Sequence, residues 1–381
     1  MELYNKQNIT LEIKQKAKKI GFDLVGVCSA KPFTRAYKIL KNRKLSEFVN
    51  ENKEKLTDPS KHLASAKSII ALGISYASKV NIIDNKKSKQ SGKNSYKQFI
   101  SLYARGIDYH QIINKKMDKL IAHLNSINPE VEVVAYSDTG SILDREAAYR
   151  AGLGWIGKNN NLINPKYGSY LFLGEIITNL ELKFDKVVEA QCGNCTRCLS
   201  ACPAKALNPY HLDPDKCLSY LTQKKGILTE KEREDINNRL WGCDTCLDVC
   251  PYNNDIPLNT HQEFIPVLEG NIKKILQFTK NDIPLEWKNS ALSWRGLRIL
   301  KRNTIINIGN KGDNEYIPLL EKSLKDPSPI LRAYAVWALG KMQSDKIIII
   351  IKKHYENEKS NIVLTEIENI LNKNKRGEIN D

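Results

Sequence analysis

Eight cysteines between Cys192 and Cys250 constrain this chain more than any other feature. CGNCTRCLSACP begins at Cys192, and CDTCLDVCP begins at Cys243. The first run has the spacing C-x₂-C-x₂-C-x₃-C-P. Three thiolates at three-residue intervals let one tight loop reach three corners of an Fe₄S₄ cube, and in two-cluster proteins the fourth cysteine serves the other cube. Pro203 and Pro251 follow Cys202 and Cys250, where a missing N–H does no harm to a starting helix. The pattern therefore assigns Cys192, Cys195, Cys198 and Cys250 to one [4Fe–4S] cluster. Cys202, Cys243 and Cys246 fall to a second, and Cys217 is the one unassigned thiol near enough in sequence to complete it. The remaining cysteine, Cys28, lies in an apolar strand pattern and reads as a buried spectator. A pair of tetrahedral zinc sites would also use eight thiols. Zinc sites usually join separate two-thiol knuckles, however, and need neither the triple run nor the prolines. Two adjacent clusters imply one-electron transfer without naming a substrate.

Upstream of the thiols, helical and strand signals alternate. TLEIKQKAKKIGF has helical spacing, FDLVGVCSA reads as a strand, and a basic helical stretch from Arg35 to Lys55 leads to the strand KSIIALGISYA. Residues 81–97 are polar and lysine-rich, which suggests a flexible loop. YHQIINKKMDKLIAHL is a helix, VEVVAYSD a strand, SILDREAAYRAG a helix, and YGSYLFLGEIITNLEL a long strand or hairpin. Residues 1–185 thus read as an α/β or α+β domain, 186–255 as a separate cysteine-rich module with short helices, and 256–381 as all-helical. The last part repeats. LKRNTIINIG at Leu300 matches LRAYAVWALG at Leu331, and IVLTEIENIL at Ile362 keeps the 31-residue period without the glycine. Paired helices at this period predict a short HEAT-like solenoid, with Gly309 and Gly340 expected at helix ends.

Fifty-nine Lys and Arg against 43 Asp and Glu give a formal net charge of +16. That favours a polyanionic partner such as nucleic acid, although a lysine-heavy proteome would give the same balance. No apolar run reaches the length of a membrane span, and MELYNKQNITLEIKQ lacks the apolar centre of a signal peptide. A cytoplasmic protein is expected, where clustered thiols bind metal rather than pair.

The segment between the strand ending at Asp138 and the cysteines combines a carboxylate, a helix and the glycines of AGLGWIGKN. Asp138 suits a catalytic acid, and equally an N-cap for the following helix. G-L-G-W-I-G has dinucleotide-fingerprint spacing but follows a helix rather than a strand, so it is not that fingerprint. From the residues alone this is a ligand pocket with a candidate acid.

SDTGSILDREAAYRAGLGWIGKNNNLI, CGNCTRCLSACPAKAL, CLSYLTQ and WGCDTCLDVCPYN together resemble epoxyqueuosine reductase, and LYARGIDYH fits the same layout. The resemblance implies a corrinoid-binding catalytic domain, similar in its core to corrinoid-dependent reductive dehalogenases, fused to a dicluster ferredoxin-like module and HEAT-like repeats. It implies that cobalamin and two [4Fe–4S] clusters reduce epoxyqueuosine to queuosine at the wobble position of tRNA. The family's proton donor falls on Asp138. Asp138, Lys158, Asn159, Ser219 and Gln223 match segments that line the corrinoid in the family. The D-x-H-x-x-G signature of histidine-ligated cobalamin proteins is absent, since DYHQII lacks the glycine. His110 is therefore expected to line the pocket rather than ligate cobalt. LSWRGLRILKRN places Arg295, Arg298, Lys301 and Arg302 on one helical face, expected to contact phosphates of the anticodon stem-loop. The remaining expectations are a monomer and an electron-donor protein that feeds the outer cluster. Alternative readings are a corrinoid reductive dehalogenase, which would need no basic helical tail, and a non-enzymatic electron-transfer protein, which would need no pocket acid.

Overall fold

The computed structural model describes residues 2–49, 51–77, 100–138, 142–258, 261–265, 272–342, 344 and 346–375. The lysine-rich stretch 81–97 lies outside the described residues. Contacts group the chain into two compact units, each discontinuous in sequence: Met1–Ile82, Ile107–Asp215 and Asp244–Ile265, then Ile83–Gly106, Lys216–Cys243 and Pro266–Asp381. The cysteine-rich stretch therefore does not stand as a compact body of its own. Residues 183–205 contain no buried side chain, too little apolar burial to build an independent core.

The first unit is built on a four-stranded sheet with strands β1 (Leu24–Ser29), β2 (Ser68–Ser75), β3 (Val133–Tyr136) and β6 (Leu171–Thr178) in the order β1-β2-β6-β3. Every pairing is antiparallel, with Cys28 opposite Ile69, Ile70 opposite Ile176 and Tyr136 opposite Glu175. The unit is thus α+β rather than a doubly wound α/β sheet. All eight residues of β2 are buried, which explains why SIIALGIS reads as a continuous apolar run instead of alternating. Helix α3 (Tyr109–Ile127) covers one face: a Cβ at Gly174 would stand 3.0 Å from Ile113 and 3.2 Å from Met117. Helix α4 (Asp144–Arg150) covers the other, where Ala147 and Ala148 pack with Leu173, Ile177 and Cys28. Cys28 is the expected spectator. Burial pushes its thiol up to about 12, and its Sγ contacts the Ala147 carbonyl at 3.7 Å. The N-terminal helix α1 covers Glu2–Ile20, and the basic stretch resolves into α2 (Thr34–Lys41) and a short helix Lys53–Thr57 rather than one helix. Strands β4 (Trp155–Ile156) and β5 (Leu162–Ile163) form a small hairpin after α4.

In the second unit the elements described after residue 271 are all helical. The repeated segments lie on α6 (Leu297–Lys311), α8 (Pro329–Leu339) and α10 (Asn361–Lys375). Helices α7 (Ile317–Ser323) and α9 (Lys346–Tyr355) intervene, and α5 (Glu230–Ile236) precedes them. The repeat glycines are not left-handed helix ends. Gly309 lies inside α6, Gly340 keeps right-handed φ of −64°, and the left-handed cap of α6 is Gly312. Their role is close approach. A Cβ at Gly309 would stand 2.6 Å from the Trp337 ring, and one at Gly340 would stand 2.4 Å from Ile370 Cδ1. Each glycine thus admits the corresponding helix of the next repeat.

Gly309→Val should therefore force Trp337 out of place and destabilise the protein by about 1–3 kcal/mol, the usual cost of overpacking. A thermal melt of the purified variant checks this, and an unchanged midpoint would show that the helices can part without loss.

Candidate metal centre and catalytic carboxylate

Cys192, Cys195, Cys198 and Cys250 line a single cleft of about 330 Å³ together with Lys158, Asn159, Ile163 and Tyr252. The first three come from the loop 192–198 and the fourth from the residue before the 3₁₀ turn Pro251–Asn253. Lys158 holds that loop in place. Its Nζ donates to the Gly193 carbonyl at 2.6 Å and to the Cys195 carbonyl at 3.0 Å. Trp155 Nε1 donates to Cys192 Sγ at 3.5 Å, and Cys250 is packed with Trp155 and Ile163. Burial, reinforced by neighbouring thiols, raises the pKa of Cys198 and of Cys250, so metal rather than pH must take their protons. Among the described residues no group of three or more His, Cys, Asp or Glu side chains is placed to hold one metal ion. Four thiols lining one cleft suit a cube in which each cysteine meets its own iron.

The other four thiols are described within their own units. In the first, Cys202 follows the short helix Arg197–Ala201 and accepts from the Ala206 N–H at 3.3 Å, while Cys246 lies on the helix Thr245–Asp248. In the second, Cys217 caps the helix Leu218–Leu221, and Cys243 Sγ accepts from Arg239 Nε at 3.3 Å. Donors to sulfur such as Trp155 and Arg239 set cluster potentials; spacing alone gave no hint of either.

Asp138 lies two residues past β3, with φ of +56°. Left-handed backbone costs a non-glycine residue roughly 1–3 kcal/mol, least for Asp and Asn. It caps none of the described helices: α4 begins at Asp144, with Leu143 at its N-cap position. The capping alternative is thereby removed. Tyr109 Oη donates to Asp138 Oδ2 in a short hydrogen bond. His110 Nε2 lies 3.7 Å from the same oxygen, and its Nδ1 is 2.7 Å from Asp108 Oδ1. Asp108 also caps α3 by accepting from the His110 N–H. Ser137 pins the strand end by donating to Asn114 Oδ1 at 2.9 Å. Burial disfavours the His110 cation, but the hydrogen bond and charge of Asp108, with the charge of Asp138, outweigh it and raise its pKa. The sequence signal for this network, D-Y-H at Asp108, was read only for histidine; Tyr109 was missed. Asp138 is 55% exposed.

Beneath this network Glu175 is 1% exposed on β6, and neither carboxyl oxygen has a hydrogen-bond partner. Burial, then the charges of Asp144 and Asp138, push its pKa well above the usual range, which favours its neutral form. Burial likewise raises Asp144.

Three family models match the chain: a 4Fe-4S double cluster binding domain over residues 191–253, epoxyqueuosine reductase QueG over 57–139, and HEAT repeats over 297–371. An epoxyqueuosine reductase of Bacillus cereus is 38% identical over 360 residues, covering 92% of this chain and 93% of that protein. The chain belongs to the epoxyqueuosine reductase family. A Bacillus subtilis epoxyqueuosine reductase is 35% identical, covering 94% of each chain. A crystal structure of epoxyqueuosine reductase with an epoxyqueuosine-modified tRNA stem loop matches with a TM-score of 0.86 at 33% identity, covering 96% of this chain and 98% of that one.

The described contacts give partners to Lys158 and Gln223 and change the assignment of Arg302. Lys158 is committed to the loop carbonyls of the first cluster site. Gln223 is buried with both amide ends engaged: Nε2 donates to the Ser219 carbonyl at 2.8 Å and Oε1 accepts from Trp294 Nε1 at 3.0 Å. Arg302 does not share a solvent face with Arg298. It is 1% exposed, and its guanidinium donates to the carbonyls of Leu221, Thr222 and Lys224 and to Asn303 Oδ1. It is an internal strut of the second unit, because α6 packs on that side against the segment 221–240. Arg298 is exposed, Arg295 sits in the turn before α6, and Lys301 lies 3.8 Å from Asp326.

Two predictions follow from these placements. Arg302→Met should destabilise by about 2 kcal/mol or more, since buried carbonyls lose their donor, while Arg298→Glu should leave the melting midpoint unchanged. For His110 the sign follows from its raised pKa: the stabilisation is fully present below the ordinary histidine value and is lost as pH rises through the folded-state value. Asp108→Asn should therefore lower the His110 pKa and narrow the pH range of that stabilisation, as read by the imidazole Cε1–H shift in an NMR titration.

Proposed function

We propose that this chain reduces epoxyqueuosine to queuosine at the wobble position of tRNA, with Asp138 as the proton donor. The observation that carries this reading is the strained, uncapping Asp138 carboxylate held by Tyr109 and His110 in the same unit as a four-thiol cleft. The net reaction removes the epoxide oxygen as water and consumes two electrons and two protons. Electron transfer alone would require no such carboxylate.

The four thiols of the cleft fit a [4Fe–4S] cluster, and Cys202, Cys217, Cys243 and Cys246 are proposed to hold the second. Cobalamin is supported by the donor chemistry left open in the first unit. Asn159 is 4% exposed, and its Nδ2 has no partner, as expected for a donor awaiting a carboxamide of a corrinoid rim. With cobalamin bound, the group supplies a strongly reducing cobalt centre near the substrate. Everything else rests on the chain's own side chains. Tyr109 orients the carboxyl by donating to Oδ2. Asp138 holds a proton toward the departing epoxide oxygen. His110, whose cationic form Asp108 favours, lies 3.7 Å from Asp138 Oδ2, where it can return a proton to that carboxyl. Ser219 is proposed to contribute to the corrinoid surroundings. Arg295 and Arg298 are proposed to meet stem phosphates, with Lys301 beside them. Residues 191–197, largely exposed around Cys192 and Cys195, are where an electron-donor protein would deliver to the first cluster. None of the described helices is long and apolar enough to cross a membrane. A cytoplasmic monomer acting on tRNA accords with this.

Anaerobically reconstituted protein should carry about eight irons, as two cubanes require, and Cys217→Ser should lose roughly half. Retention of the full complement would remove Cys217 from the ligand set. Asp138→Asn keeps a residue that tolerates left-handed backbone and should retain both clusters. Its single-turnover rate from prereduced enzyme should fall on the order of a hundredfold. Queuosine formation at the unmodified rate would assign the proton to another group.

A further inference from the structure

Trp294 is 51% exposed, the one half-exposed tryptophan among the described residues. It lies in the turn Ser293–Arg295 that leads into α6, and two contacts fix its plane. Its Nε1 donates to Gln223 Oε1 at 3.0 Å, and the Arg295 guanidinium lies 3.8 Å from the ring centroid. Gln223 is itself held by its bond to the Ser219 carbonyl, so the indole is anchored to the helix Leu218–Leu221 and not merely to its own turn. A large aromatic kept in water costs stability unless something covers it. Here the polar edge is satisfied inside the unit while the ring is presented outward. The charges near it in sequence are Arg295 and Arg298, with no acidic residue between Trp287 and Asp313.

We propose that Trp294, with Arg295 layered on it, is a stacking platform for one unpaired nucleobase of the tRNA anticodon loop. The inference rests on the tRNA reading above and adds a base-contacting residue to a surface otherwise assigned to phosphates. An indole offers every base a π-face, and a stacked guanidinium adds cation–π attraction, so the contact tolerates different bases. Single-stranded loops are where such stacking occurs, because a duplex stem keeps its bases stacked on one another. A row of arginines alone would bind stem and loop alike through phosphates.

The test uses the full-length protein and two RNA probes: an anticodon stem-loop, and a duplex of the same stem closed without the loop. Trp294→Ala should weaken stem-loop binding about tenfold or more, leave duplex binding unchanged, and leave the slope of log affinity against log salt unchanged. Arg298→Glu should do the reverse, lowering that slope for both probes. Trp294→Phe keeps an aromatic face and should retain most of the affinity, which guards against loss of the turn's structure in the alanine variant. Stem-loop binding should also quench tryptophan emission in the wild type and quench it less in Trp294→Phe. If wild type and Trp294→Ala bind the stem-loop equally, the platform is overturned while the tRNA reading stands. Equal losses on stem-loop and duplex overturn it as well. If the wild type binds neither RNA, the tRNA reading falls and this inference with it.

Discussion

The close seating of α3 on β6 is the constraint from which the catalytic geometry descends. Gly174 leaves no side chain between strand and helix, and Ile113 and Met117 fill the space that a Cβ would need. The start of α3 carries Asp108, Tyr109 and His110, and the strand paired with β6 on that side ends at Tyr136, two residues before Asp138. Antiparallel register does the rest, since Tyr136 opposite Glu175 fixes where the strand end falls. A bulkier residue at position 174 would lift the helix and pull the phenol and imidazole away from the carboxylate. The geometry around the Asp138 carboxylate is therefore set by helix–sheet packing, several residues away.

Electrostatics adds a second layer. Three carboxyls sense one another: Asp138 at the surface, Asp144 at the start of α4 and Glu175 in the sheet. Like charges in low dielectric cannot all ionise, and the most buried gives way first. Glu175 remains an acid, which spares the core an unpaired anion. His110 answers on the opposite side with Asp108 behind it, so one carboxylate faces both a phenol and an imidazole that favours its charged form.

Much of this was legible in the sequence for physical reasons. Thiol spacing is a geometric code, and it brought Cys192, Cys195, Cys198 and Cys250 to one cleft despite the 51 residues between the third and the fourth. The helical repeat was visible because packing the same helix pair again demands the same small residues. What escaped was set by tertiary burial. Arg302 looked like Arg298, because a four-residue step along a helix returns to nearly the same face, yet the segment 221–240 packs over the later turn and buries Arg302. Asp138 looked like a cap, because a strand end followed by a helix suggests one; the left-handed turn and the late start of α4 were not encoded in any spacing. Tyr109 carries no special signal beyond being next to a histidine.

The repeat glycines carry a further consequence. Gly309 and Gly340 are each a socket for the following repeat, and the third copy has Leu371 at the equivalent position. Whether a repeat can accept a neighbour is thus decided at one residue, independently of how well its own helix folds. Lengthening the array by design would begin with Leu371→Gly, since without that vacancy a grafted helix pair would meet an isobutyl group where its own backbone must lie.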